Sequence, residues 1–156
     1  MRRTIREYRN AVPKLRKLSG REWRDLLAGQ FALIAAQFRV WTKATGSLTS
    51  PESGSAPVMS PSESSVVRSR ELALAVSRAS SFGVFRPACL VRSVALCRMM
   101  ERHGLPDAVV RLGVVMRAGR FHAHAWVEYG DVILGDDPAS VSDYETLPGI
   151  SVLHAD

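Results

Sequence analysis

Apolar positions along this chain change period several times, and each change predicts an element. From about Gly20 to Lys43, Trp23, Leu26, Leu27, Phe31, Leu33, Ile34, Phe38, Val40 and Trp41 recur at helical spacing. Ser19 followed three residues later by Glu22 is a capping box that starts this helix. Apolar residues almost encircle it, so packing into the core is expected, with docking of one face on a partner or lipid surface as the alternative. Gln30 and Gln37 break the run, which is too short to span a membrane. A second helix is predicted from Ser62 or Glu63 to Ser80. Its stripe is Val66, Val67, Leu72, Ala73, Val76 and Ala79, and Arg68, Arg70 and Arg78 face solvent or substrate.

A third helix follows Pro87, which is placed just inside its start. Leu90, Val94, Ala95, Leu96, Met99 and Met100 keep helical spacing until Gly104 and Pro106 end it. Ala108 to Arg117 is apolar at almost every position, as in a central strand covered on both faces. From Phe121 to Tyr129 the pattern alternates. Phe121, Ala123, Ala125, Val127 and Tyr129 take one face, and His122, His124, Trp126 and Glu128 the other. Gly130-Asp131 turns the chain, and Val132 to Leu134 runs back. Ala139 to Leu147 reads as loop with a short helical turn, and Ile150 to Leu153 as a last edge strand. Helices packed on an antiparallel sheet make the expected class α+β.

Composition bounds this picture. A chain of 156 residues, 46% of them hydrophobic, is expected to form a single globular domain, 1–156. Within it, 1–44 holds the basic and apolar N-terminal helices, 45–65 is a flexible Ser/Pro/Gly loop, and 66–156 is the core that carries the chemistry. Residues 1–18, with Arg2, Arg3, Arg6, Arg9, Lys14, Arg16 and Lys17, read as a short basic helix broken at Pro13. They form a solvated face or a contact for an acidic peptide or a membrane surface. The loop 45–65 is irregular chain or a flap near the site. A net charge of +6 and a pI near 10.0 favour an acidic partner. No helix-turn-helix, zinc-finger or aromatic-basic signature is present, so no nucleic acid is expected and the charge reads as steering for a peptide or partner protein. Cys89 and Cys97 stand about 12 Å apart on one helix, too far for a disulfide. With no signal peptide recognisable, the expected location is cytoplasmic.

The chemistry centres on Cys89, in the first turn of the third helix. Helix starts offer unpaired N–H groups and the positive end of the dipole, and both favour a thiolate nucleophile. Cys97, two turns on, lacks that setting and reads as core. His122 and His124 share a strand face, so alternation does not separate them as the base. Asp136 lies at the end of the return strand, within reach of the histidine strand. Asp131 is in the turn, and Asp137 would point to the other side. Nucleophile, base and orienter thus occur in chain order. Spacing of the zinc type is absent. His122 and His124 with Cys89 and Asp136 are a poor metal set, so neither metal nor cofactor is expected.

The run CLVRSVALCRMMERHGLPDAVVRLGVVMRAGRFHAHAWVEYGDVILGD resembles the transglutaminase-like cysteine proteases of lasso-peptide biosynthesis. The shared pattern is Cys-Leu-x-Arg-Ser, a helix ending in Gly-Leu-Pro, and Ala-His-Ala-Trp-Val-Glu followed by Asp, over residues 86 to 137. The N-terminal part is similar to the helical lead-in of the short, standalone members. The resemblance implies a papain-like, transglutaminase-like core with the triad Cys89, His124 and Asp136. Arg92 and Ser93 serve packing and helix positioning. Trp126 and His122 are the substrate-side candidates: Trp126 shields the imidazole–carboxylate pair or simply packs, and His122 helps bind substrate or sits at the surface. It implies a leader peptidase for a ribosomally made precursor, working with a leader-binding partner, a RiPP recognition element, and ahead of an ATP-dependent lasso cyclase. The apolar first helix and the basic N-terminus are the expected docking surfaces for that partner. Peripheral membrane contact is a further possibility for the basic end. The Cys89 backbone N–H is one oxyanion donor, and the second is not identified. The competing readings are transglutaminase-like acyl transfer and a non-catalytic binding homologue.

Overall fold

The computed structural model describes residues 19–42, 49–50, 61–82, 87–147 and 151–152. The basic lead-in 1–18 and most of the Ser/Pro/Gly loop therefore lie outside the described residues. Three long helices, α1 (Gly20–Thr42), α2 (Glu63–Phe82) and α3 (Cys89–Arg102), pack on one another, and α3, with a smaller contribution from α2, lies on one face of an antiparallel sheet. Its strands are β1 (Thr49–Ser50), β2 (Ala108–Arg117), β3 (Arg120–Tyr129), β4 (Val132–Leu134), β5 (Glu145–Thr146) and β6 (Ser151–Val152). They run in the order β1-β6-β2-β3-β4, with β5 also paired to β2. A one-turn helix, α4 (Pro138–Val141), follows β4. The class is α+β, as the alternation of helical and strand periods predicts.

Each long helix starts and stops for a chemical reason. In α1 the capping box forms: the Ser19 N–H donates to Glu22 Oε2 at 2.9 Å and the Glu22 N–H to Ser19 Oγ at 3.3 Å. In α3 the Leu105 N–H returns to the Met100 carbonyl and the Gly104 N–H to the Glu101 carbonyl, the paired bonds of a Schellman end. At the other end Ala88 is extended, with ψ 163°, so α3 begins at Cys89. Pro87 is then two residues before the first helical residue rather than inside it.

The core forms where the helices meet the Ala125 and Val127 face of β3. Leu33, Leu72, Val94, Met100, Val110 and Val127 are fully buried there. Gly29 lets α1 and α2 cross closely, since a Cβ there would already touch the Ala75 carbonyl and Ala79 Cβ at 3.4 Å. Beside the crossing, Asp25 is buried and clasped by the Arg68 fork at 2.7 and 3.2 Å. That guanidinium holds the Asp25 carboxyl below the usual carboxylate range, against the opposing effect of burial. Arg78 bonds Glu22 at 3.1 Å. Two of the three arginines expected to face solvent or substrate are thus spent joining helices.

The register Val110↔Val127 and Gly113↔His124 runs the length of the β2–β3 hairpin. Its two-residue turn, Ala118-Gly119, requires positive φ at both positions, and they have 49° and 73°. Alanine is strained there. Ala118→Gly is expected to raise stability by about 0.5–1 kcal/mol, the relieved strain being partly offset by a freer unfolded chain. A urea titration checks this.

Candidate active site

Four elements converge on one edge of the sheet. β4 stops at Leu134, opposite Val127. Beyond it, among the described residues, the outer edge of β3 has no strand beside it. The chain leaves β4 through Gly135 and Asp136, and Asp137 then caps α4 by accepting from the Ala139 N–H at 3.3 Å. Capping occupies Asp137 and leaves Asp136 to face the strand. His124 Nε2 and Asp136 Oδ2 stand 3.2 Å apart, each side chain about one-fifth to one-quarter exposed. Nδ1 of the same ring has no hydrogen bond among the described residues.

Aromatic rings hold the imidazole from the side. Trp126 lies nearly parallel to it, 21° between planes and 6.4 Å between centroids, and Tyr144 sits 5.4 Å away. Trp126, read from the sequence as a substrate-side candidate that shields the pair or simply packs, is 2% exposed. Its Nε1–H donates to Glu128 Oε1 at 2.9 Å, and Glu128 Oε2 accepts from Arg111 Nε at 3.0 Å. Its ring edge fills the space over Gly113, where a Cβ would come within 2.7 Å of the indole and 2.9 Å of Tyr144 Cβ. A hollow of about 380 Å³ opens beside the pair, lined by His124, Asp136, Ser140 and Tyr144. The Arg117–Asp143 ion pair, at 2.6 Å, stands at its rim. His122 is exposed on the same strand face.

Cys89 is the first residue of α3, a free thiol, half-buried against the margin of the core. Among the described residues no hydrogen bond joins it to His124, and it does not line the hollow. Two bonds fix the helix above the strand. Ser93 Oγ donates to the Ala125 carbonyl at 3.1 Å, and Cys97 Sγ to the Ala108 carbonyl at 3.6 Å. Ala108 pairs with Tyr129. One helical turn therefore advances from the level of Ala125 to that of Tyr129, so α3 and β3 run the same way. Cys89, a turn before Ser93, belongs to the end of β3 that carries His124. Cys97 is buried, and burial pushes its thiol up to about 12, which suits core and not nucleophile.

Tyr144, Glu128 and Gly113 were not read from the sequence as parts of this site. A lone glycine inside a strand is a signal of close approach and could have pointed to Gly113. Tyr144 lies in a stretch with no periodicity. Among the described residues no three His, Cys, Asp or Glu side chains gather closely enough to hold a metal ion. Likewise, among them no helix is long and apolar enough to cross a membrane.

A helix-start cysteine, an antiparallel sheet and a strand histidine paired with the aspartate after the next strand define a class of α+β protein. The model of the transglutaminase-like superfamily matches residues 32–148, and the chain belongs to that superfamily. Comparison with curated proteins and with solved structures gives no match.

Proposed function

We propose that the chain is a cysteine peptidase that removes the leader from a ribosomally made lasso-peptide precursor. The observation that carries this reading is the His124–Asp136 pair, with Nε2 committed and Nδ1 open, beside the strand edge toward which the Cys89 end of α3 runs. Asp136 would hold the ring in the tautomer that leaves Nδ1 to accept a proton. That proton comes from Cys89 Sγ, and the thiolate attacks the peptide carbonyl carbon. The negative oxygen is met by the Cys89 backbone N–H, one of the first-turn donors without an intrahelical acceptor. The C–N bond breaks, and His124 returns its proton to the departing amine. His124 then takes a proton from water, the hydroxide attacks the thioester, and the C–S bond breaks to give a carboxylic acid and free Cys89.

The motif resemblance over residues 86 to 137 supports the lasso assignment within the superfamily. In this reading the chain works with a leader-binding partner protein, and the amine it frees passes to an ATP-dependent cyclase. A positively charged chain, +6 overall, suits an acidic leader or partner. The test is mass spectrometry of precursor incubated with purified protein and partner. Leader and core fragments whose masses sum to precursor plus one water are expected. A crosslinked product that has lost ammonia would instead identify acyl transfer, and an intact precursor would identify a binding homologue. Cleavage at full rate without the partner would refute partner dependence alone.

A further inference from the structure

The two hairpin turns fix which main-chain groups of β3 face outward. Arg117↔Arg120 closes on the two-residue turn Ala118-Gly119, so the even-numbered residues of β3 bond to β2. Tyr129↔Val132 closes on Gly130-Asp131, so the odd-numbered residues face β4. β4 ends opposite Val127. The next outward carbonyl, that of Ala125, accepts from Ser93 Oγ at 3.1 Å. Beyond it the N–H and C=O of Ala123 and of Phe121 point to the open edge. Among the described residues none of these groups has a main-chain partner. Phe121, His122 and Ala123 are all exposed. Sheets ordinarily blunt such an edge with Lys, Pro, a bulge or a covering segment. Among the described residues none of these devices guards positions 121–123, and the register with β2 is unbroken.

We propose that this edge takes the peptide substrate as an added strand, its main chain bonded to Ala123 and Phe121 as it passes His124. This mode of binding rests on the peptidase reading and deepens it, naming how the substrate is held. An extended peptide offers matching donors and acceptors at every second residue, in either strand direction and whatever its side chains. The place on the edge suits the chemistry. Ala123 directly precedes His124, whose ring is paired with Asp136. The two faces would then read alternate side chains of the peptide. On the face that carries Ala123, Phe121 is 78% exposed and stands opposite Met116, 53% exposed, a shelf for an apolar residue. On the other face lie His124 and the hollow of about 380 Å³, with the Arg117–Asp143 pair at its rim. A second copy of β3 suits the edge less well. The open run is short and Ser93 closes its inner end, so a second chain would have to bring its own α3 to the same gap. It would also add a second net charge of +6, whereas an acidic peptide is drawn to Arg120 and to the chain as a whole.

Binding of a synthetic peptide that spans the leader–core junction to the full Cys89→Ala chain tests this, because that chain holds the peptide without cutting it. Each backbone amide of the peptide is N-methylated in turn. Affinity should fall by about tenfold at two amides, two residues apart, and by about twofold or less at the amide between them, since only alternate N–H groups reach the edge. Ala123→Pro in the wild-type chain deletes the edge N–H and no bond to β2, so KM for the same peptide should rise by about tenfold while the melting curve moves little. Should that variant not fold, the methyl scan decides alone, since it leaves the protein unaltered. Losses that are equal at neighbouring amides, or absent, overturn the edge even where the wild type cuts the peptide, and leave the peptidase reading standing. So does a peptide that fails to bind at millimolar concentration. Alternating loss without cleavage by the wild type keeps the edge and removes the peptidase reading. Ala123 and Phe121 amides that gain protection from hydrogen exchange with chain concentration, and not with peptide, overturn the proposal and give the edge to a second copy.

Discussion

Cys89→Ala is expected to abolish precursor cleavage, a loss of about a thousandfold to ten-thousandfold or more, because no other group supplies the acyl-accepting atom. Stability should barely change. The thiol is half-buried at the core margin, and alanine keeps its β-carbon. Melting within about a degree of wild type is the control that separates lost chemistry from lost fold. Cys89→Ser should fall nearly as far, since the hydroxyl is a much weaker nucleophile under the same base. Cys97→Ala supplies the opposite pattern. Its sulfur is buried and bonded to the Ala108 carbonyl, so it should cost about 1–2 kcal/mol of stability and leave turnover per folded molecule intact. Iodoacetamide should modify wild type once, at Cys89, and spare Cys97 in the folded chain. Normal cleavage by Cys89→Ala would remove the peptidase reading.

Sequence alone carried the β2–β3 hairpin, because period-two alternation in β3 survives burial on one face and a functional wall on the other. It left His122 and His124 equivalent, since strand alternation has no preference between two residues on one face. The register separates them. Val127 pairs with Leu134 and Glu128 with Ile133, so continuing the ladder sets residue 136 level with Ala125, beside His124. His122 would be level with residue 139, already inside α4. Asp137 loses its candidacy to an equally local cause, the capping of α4. What stayed hidden came from long-range packing. Tyr144 reaches the site because β5 pairs Thr146 with Gly113, a contact between segments with no shared pattern. Helix α1 read as apolar all round. Only the structure distinguishes the stripe buried against α2 and α3 from the one whose side chains are exposed.

Gly113→Ala is the substitution that should couple fold and site most strongly. The new methyl would sit 2.7 and 2.8 Å from the outer carbons of the Trp126 ring and 2.9 Å from Tyr144 Cβ. Real carbon contacts do not come this close, so something must move. The indole has little room to retreat. It is buried, its Nε1–H is tied to Glu128, and Glu128 is tied to Arg111, the cross-strand neighbour of Trp126 itself. The chain after α4 is the softer side, with Tyr144 held by ring contacts and β5 by two paired residues. Overpacking of this kind costs about 1–3 kcal/mol, a fall of roughly 3–10 °C in Tm for a chain of this size. Displacing Tyr144 removes one wall of the His124–Asp136 pair, so cleavage by the folded fraction should also drop, by about tenfold or more. Adding Trp126→Phe to Gly113→Ala shortens the ring under the methyl. The double variant should be more stable than the sum of the two single losses allows, a coupling of about 1 kcal/mol or more in a double-mutant cycle. If Gly113→Ala melts with the wild type and cleaves as fast, the indole does not lie against the β2 backbone, and the wall around the imidazole must be built in another way.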